Sequence, residues 1–458
     1  MILLEFERGT LLITDSARSS EDLEQLEIPG ATFDPRVRRL RAPAIRYREI
    51  VTRLTDLEEK FEDRARAYEE IEFVSRLERT PFPYQEEAVT AWRANKGRGV
   101  VVLPTGSGKT FVAQMMMSST RRSTLVVTPT IDLMQQWYGV LSTSFELDVG
   151  LVGGGYHEPK PVTVTTYDSA YLHMERLGNR FGLLVFDECH HLPGPSVQLA
   201  AECAIAPYRL GLTATLERED GAEVRLVELI GPTVYRKDIK ELSGDYLSDY
   251  ETVQLRVRLS DDERQRYGEA RTVYRDFVAQ NRIRLGTPQG WSHFLMLTSR
   301  SSEGRRAFLA YQEQKAIAQA SPGKIRLLKK LIEQHANDRV LVFTGDNETV
   351  YRISRQFLIP AITHQTKVKE RHEILQRFND GSYPFLVTSK VLNEGVDVPA
   401  ANVGIILSGS GSVREHVQRL GRILRRMKDK HATLYEVVAE DTAEEYVSSR
   451  RRDHSAYR

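Results

Sequence analysis

Gly99-Val100-Val101-Val102 runs directly into Leu103-Pro104-Thr105-Gly106-Ser107-Gly108-Lys109-Thr110, so an apolar strand ends in a glycine-turned loop that opens a helix. Small residues at Gly106, Ser107 and Gly108 let backbone N–H groups turn inward around anionic oxygens, and the helix N-terminus adds the positive end of its dipole. On this reading Thr105 to Thr110 cradle a nucleoside triphosphate, with Lys109 reaching the β and γ phosphates and the Thr110 hydroxyl ligating Mg2+. The strict pattern carries a glycine where this chain has Leu103.

A second element lies downstream. Leu183-Leu184-Val185-Phe186 reads as a short buried strand ending in Asp187-Glu188. Two carboxylates at a strand end suit metal-assisted phosphoryl transfer, Asp187 holding Mg2+ and Glu188 orienting and deprotonating the attacking water. Alone, the pair would read as a solvated turn; after a phosphate loop the catalytic reading takes precedence.

The 458 residues, 41% of them apolar, suffice for roughly three domains. No apolar stretch approaches the roughly 18 residues a bilayer span requires, and acids interrupt the hydrophobic N-terminal segment, so neither insertion nor secretion is expected. Cys189 and Cys203, fourteen positions apart, are the only cysteines. That usage points to a reducing, cytoplasmic compartment, with both thiols packed as small apolar groups. With 64 basic against 63 acidic residues there is no global basic field, and nucleic-acid binding must rest on local patches. One such patch spans 252–306, where eleven arginines and six acids are interleaved with Tyr267, Tyr274, Phe277, Trp291 and Phe294. It suits phosphate tracking and base stacking, or is simply a solvated face.

Alternation of short β-branched runs with amphipathic stretches predicts an α/β fold with two parallel-sheet lobes. In residues 81–232 strands are expected at 100–103, 124–127, 162–165, 183–186 and 208–212, with helices at 109–118 and 132–141. In residues 233–458 the same grammar restarts without a second phosphate loop: helix 324–335, strand 340–343, helices 348–357 and 368–378, strands 385–388 and 403–407, helix 412–425. An Arg- and Tyr-rich insertion of about 246–306 reads as a strand plus a helical projection. Residues 1–80 form a small α+β unit with a helix over 49–73 that places Ile50, Leu54, Leu57 and Phe61 on one face. No internal repeat or low-complexity tract is present.

Within 412–425, Arg419 and Arg422 lie three apart, hence on one helix face, where two guanidiniums suit a γ-phosphate as arginine fingers.

In order and spacing these elements resemble the superfamily 2 helicases from Tyr84 to Val438. Tyr84-Gln85 resembles the adenine-contacting Gln motif of that superfamily, Asp187-Glu188-Cys189-His190 its DExH box and Thr213-Ala214-Thr215 its coupling motif. Thr128-Pro129-Thr130 and Thr166-Tyr167-Asp168 fall where such lobes touch the DNA backbone, and so do Phe343-Thr344 and Thr388-Ser389. Asn393 to Pro399 and Gln418 to Arg425 complete the set, with Gln418 on the nucleotide. Gly345-Asp346 stands where a basic residue is expected. The closest likeness is to the xeroderma pigmentosum group B (XPB) family in its compact archaeal or bacterial form. Arg218-Glu219-Asp220 resembles that family's R-E-D loop, held to wedge a DNA junction; a charged turn is the alternative. The insertion resembles its thumb, and Phe33-Asp34 with Ala44 to Arg48 its damage-recognition domain.

The resemblance implies an ATP- and Mg2+-dependent DNA helicase of 3′ to 5′ polarity, acting in nucleotide-excision repair on single-stranded, forked or distorted DNA. It further implies an endonuclease partner and a cytoplasmic, nucleoid-associated location. ATP would be shared by two lobes, so that hydrolysis moves two grips along one strand. The alternatives are a duplex translocase that separates no strands, an RNA helicase, and a fork-binding scaffold that recruits a nuclease with ATP as switch.

Overall fold

A computed structural model describes residues 1–76, 78–218, 220–244, 246, 249–285, 289–389, 401–409 and 431–452. The main division falls between Lys237 and Asp238. Among the described residues no helix is long and apolar enough to cross a membrane.

The chain begins with a five-stranded sheet: β1 (Ile2–Glu7), β2 (Thr10–Asp15), β3 (Thr32–Asp34), β4 (Arg39–Pro43) and β5 (Phe61–Asp63), in the order β3-β4-β2-β1-β5. Arg8 and Gly9, both at positive φ (45° and 77°), make the two-residue turn of the β1–β2 hairpin. The helix Tyr47–Asp56 buries Tyr47, Ile50 and Leu54 in this unit. It is shorter than the sequence suggests: Glu58 turns left-handed at φ 54°. Phe61 leaves the helical face altogether to pair, in β5, alongside Ile2 of β1. Burial of one strand edge outweighs local helix periodicity there, and Leu57 is left 37% exposed.

The following sheet comprises β6 (Arg98–Val102), β7 (Thr124–Thr128), β8 (Val149–Gly153), β9 (Tyr156–Glu158), β10 (Val162–Thr166), β11 (Leu183–Asp187), β12 (Tyr208–Thr213) and β13 (Thr233–Arg236). Their order is β13-β6-β12-β11-β7-β10-β8-β9, and every pairing is parallel except β8 with β9. The five expected strands are present, each ending within a residue or so of its expected limits. The first sheet and this lobe share their cores. Ile205 packs into the N-terminal cluster and Ile45 into the lobe's. A Cβ on Gly9 would lie 2.7 Å from Cys203 Sγ. Arg48 donates to the carbonyls of Lys96 (2.8 Å) and Pro207 (3.1 Å).

The second unit holds a six-stranded, wholly parallel sheet: β14 (Asp249–Val257), β15 (Val340–Phe343), β16 (Ala361–Ile362), β17 (Phe385–Thr388), β18 (Val403–Ile406) and β19 (His431–Ala439), ordered β14-β19-β18-β15-β17-β16. Between β14 and the helix Pro322–Gln334 come three helices, Asp261–Gln280, Gly290–Thr298 and Ser302–Ala320. The first opens with a capping box between Ser260 and Glu263. The buried Lys324 donates to the Leu407 carbonyl (2.8 Å) and the Glu444 carboxylate (2.5 Å), fastening the C-terminal helix Ala443–Arg452 to this sheet.

The aromatics of the insertion form its core rather than a stacking platform. Phe294 is fully buried, Tyr267 and Phe277 are nearly so, and Tyr274 and Tyr311 both pack edge-on against Phe294. Trp291, 39% exposed, is the exception among the five. Hydrophobic spacing on helices accounts for them without a nucleic-acid ligand.

Candidate nucleotide site and nucleic-acid face

Gly106 (φ 86°) and Gly108 (φ 82°) take left-handed conformations that side chains disfavour, and the helix Lys109–Thr120 starts at once behind them. Lys109 Nζ donates to the loop's own carbonyls, Leu103 at 3.1 Å and Pro104 at 3.3 Å. Gln85, 3% exposed, lies against the loop: a Cβ on Gly108 would come within 2.6 Å of its Nε2. Its Oε1 accepts the Phe82 N–H (3.0 Å) at the start of the helix Pro83–Ala94, leaving the Phe82 ring 39% exposed and stacked on Tyr84.

At the end of β11, Asp187 is buried and accepts the Trp137 indole N–H at 2.8 Å on Oδ2 and the Glu188 N–H at 3.0 Å on Oδ1. Burial pushes this carboxyl up from its ordinary value, against the pull of Trp137 and the Lys109 charge. Sequence reasoning missed Trp137, on the helix Ile131–Ser144; a tryptophan seven residues after Thr130 was the available signal. Glu188 itself is left-handed, φ 47° and ψ 53°, which turns the chain out of the strand into the short turn Cys189–His191. Cys189 packs as a buried apolar group in the lobe core.

Thr213, at the end of β12, ties this corner to the next. Its hydroxyl lies 3.1 Å from His190 Nδ1, donates to the Thr215 carbonyl at 2.7 Å, and sits 3.5 Å from Glu188 Oε2. Arg218 then donates to the His190 carbonyl and forks onto Asp220, Nε to Oδ1 at 2.8 Å and Nη2 to Oδ2 at 2.6 Å. That fork holds the Asp220 carboxyl well below the usual carboxylate range. Glu219 lies outside the described residues.

Thr130 and Thr166 cap helices, accepting the N–H groups of Leu133 (3.2 Å) and Ser169 (3.3 Å) at the C-terminal ends of β7 and β10. Two helix N-termini therefore open at the same, C-terminal end of these parallel strands. In the second unit Thr388 is buried, its hydroxyl turned to the Ser389 carbonyl (3.3 Å). Asp346, where a cation was expected, caps the helix Asn347–Phe357 through the Thr349 N–H (2.8 Å). Asn393 to Pro399, Gln418, Arg419 and Arg422 lie outside the described residues.

A glycine loop opening a helix beside a strand-end Asp-Glu pair defines a P-loop nucleoside triphosphatase. Comparison with known proteins places it more narrowly. Residues 4–65 match the xeroderma pigmentosum group B helicase damage recognition domain, residues 78–218 the type III restriction enzyme res subunit, and residues 323–427 the helicase conserved C-terminal domain. The chain is 42% identical over 435 residues to the DNA 3'-5' translocase XPB2 of Sulfurisphaera tokodaii, covering 93% of this chain and 96% of that one. It is 32% identical to the DNA 3'-5' helicase XPB of Mycobacterium tuberculosis, covering 81% of this chain and 62% of that longer protein. Among solved structures, the Hef helicase domain of Pyrococcus furiosus shares the fold at TM-score 0.55 and 20% identity, over 81% of this chain and 98% of that one. The chain belongs to the XPB family of superfamily 2 helicases.

Proposed function

We propose that this protein is a DNA-dependent ATPase that moves 3′ to 5′ on DNA and opens or remodels it in nucleotide-excision repair. The observation that carries the reading is the conjunction of Lys109 on its glycine loop with Asp187 and Glu188 at the end of β11. The donor set fits ATP with Mg2+: positive-φ glycines for phosphate, and the hard oxygens of Thr110 and Asp187 for the cation. Held by Thr110 and Asp187, magnesium would supply charge neutralisation for the triphosphate. Lys109 leaves its two carbonyls for the phosphates, and Glu188 orients the attacking water and takes its proton. The exposed Phe82 ring, fixed by Gln85, offers the purine a stacking surface. Arg419 and Arg422 would stabilise charge developing on the γ-phosphate, with Gln418 beside them.

DNA is held through phosphates, by the helix N-termini that Thr130 and Thr166 cap in the first lobe and by backbone groups around Thr388 in the second. Phosphate contacts carry no sequence code, so selection is for shape, the N-terminal sheet reading distortion. An endonuclease partner rests on family resemblance alone. A second reading, duplex translocation without strand separation, is favoured by the S. tokodaii relative's description as a translocase.

DNA-stimulated ATP hydrolysis by the wild type and by Lys109→Ala tests the motor. Stimulation abolished by the substitution is expected; equal rates would defeat the reading. Strand displacement from forks, set against triplex displacement from blunt duplex and run with and without a candidate nuclease, separates the two readings and tests the partner.

A further inference from the structure

Tyr167 opens the helix Tyr167–Leu177 in a stretch where the sequence suggests DNA contacts, yet it is 4% exposed and turned inward. Its ring stacks on Phe186 at 6.3 Å and tilts against His191 at 6.1 Å, and its hydroxyl donates to the Asp187 carbonyl at 3.0 Å. Across the same peptide bond, the Glu188 N–H donates to Asp187 Oδ1 at 3.0 Å. The peptide unit that joins the two carboxylates is therefore held at both ends. We infer that Tyr167 is a positioning residue for ATP hydrolysis, fixing through the Asp187 carbonyl the backbone that aims the Glu188 carboxylate. This role rests on the nucleotide-site reading above.

Glu188 needs such support. Its φ of 47° and ψ of 53° are left-handed values, which a residue with a side chain keeps only where surrounding contacts over-determine them. Release into the right-handed region turns the 187–188 peptide plane, because that rigid plane sets ψ of Asp187 and φ of Glu188 together. Such a turn breaks the Tyr167 bond and the Glu188 N–H bond at once, strips a buried carbonyl of its donor, and swings the Glu188 carboxylate to a new direction. The donor persists throughout the working pH range. Burial first, then the neighbouring Cys189, Asp187 and Glu188, push the phenol well above its ordinary value.

Tyr167→Phe keeps the ring against Phe186 and removes only the hydroxyl. Release of labelled γ-phosphate from ATP at saturating DNA is followed in wild type, Tyr167→Phe, Glu188→Gln and the double variant, at a temperature where circular dichroism shows all four folded. Tyr167→Phe is expected to lower kcat about tenfold and to leave KM for ATP within about twofold, since orientation and not nucleotide binding is lost. In the Glu188→Gln background the same substitution should change the residual rate less than about twofold, because its route to the reaction runs through that carboxylate. A merely structural defect would lower both rates by the same factor. Wild-type kcat in Tyr167→Phe overturns the inference, and so does a KM that rises as far as kcat falls, or an equal loss in the two backgrounds. Glu188→Gln also keeps the two readings apart. If it is slow while Tyr167→Phe hydrolyses normally, the role of Tyr167 alone fails; if Glu188→Gln itself hydrolyses at the wild-type rate, the nucleotide site is wrong.

Discussion

Trp137 donates its indole N–H to Asp187 Oδ2 at 2.8 Å, both groups buried, so the carboxylate proposed to hold Mg2+ is oriented by a side chain fifty residues upstream in sequence. Phenylalanine at 137 keeps most of the ring and removes the donor. A buried carboxylate that loses a hydrogen bond loses about 1.5–3 kcal/mol, and its pKa, already raised by burial, moves further up. Trp137→Phe should therefore lower kcat and weaken Mg2+ binding, raising the half-saturating Mg2+ concentration about tenfold or more. A Mg2+ titration of ATP turnover with the wild-type midpoint would show that Asp187 needs no such support.

Phe82 tests where the base lies. Its backbone is pinned by Gln85 while its ring is 39% exposed. Phe82→Ala should raise KM for ATP severalfold and leave kcat nearly unchanged, because stacking contributes about 0.5–1.5 kcal/mol of ground-state and transition-state binding alike. Comparison with a triphosphate lacking the purine isolates the effect: loss of the variant's penalty there is expected, and an identical penalty would place the base elsewhere.

The legible parts of this chain were those where one local pattern decides. Val100 to Thr110 and Leu183 to Glu188 are strand, loop and helix in the order their sequences require, because parallel strands buried on both faces read as continuous apolar runs. β8 escaped, since Val149–Gly153 carries two glycines, and β9 escaped because Tyr156–Glu158 is short and exposed. The 49–73 helix failed at Phe61 for a tertiary reason, pairing with β1, that no periodicity contains. Around Thr213 the coupling assignment came from the resemblance to superfamily 2 helicases and not from the residue types. The hydrogen bond from Arg218 to the His190 carbonyl remained hidden because a backbone carbonyl leaves no trace in side-chain spacing. The insertion's aromatics show the opposite error: a binding composition that helical packing explains.

Asp34 makes the N-terminal sheet acid-sensitive. The Arg36 fork, Nε at 2.9 Å and Nη2 at 2.8 Å, with Arg41 at 3.2 Å, lowers its carboxyl from 3.8 to about 2. A carboxyl depressed on folding contributes stability above its unfolded value and loses it as pH falls through the folded one. Exchange protection of the β3–β4 amides should decline between pH 3.8 and about 2, and Asp34→Asn should remove much of that pH dependence while lowering protection at neutral pH. An unchanged profile in the variant would assign the acid response to other groups.

Ile205 belongs to the helicase lobe in sequence but to the N-terminal sheet in packing, 1% exposed among Ile2, Leu4, Leu11 and Tyr47. The sheet is therefore fused to the lobe by a common core rather than tethered by a linker, with Ile45 crossing in the other direction. Truncating Ile205 to alanine should cost about 2–5 kcal/mol, and the loss should appear on both sides of the seam. Amide exchange in β1 and β2 should accelerate together with that in β12, and the two should melt in one transition. If β1 and β2 keep wild-type protection while β12 alone loosens, the sheet folds independently. The connection to the lobe would then rest on polar contacts, among them Arg48 on the Lys96 and Pro207 carbonyls and the bridges of Glu70 with Arg122 and Ser75 with Phe145.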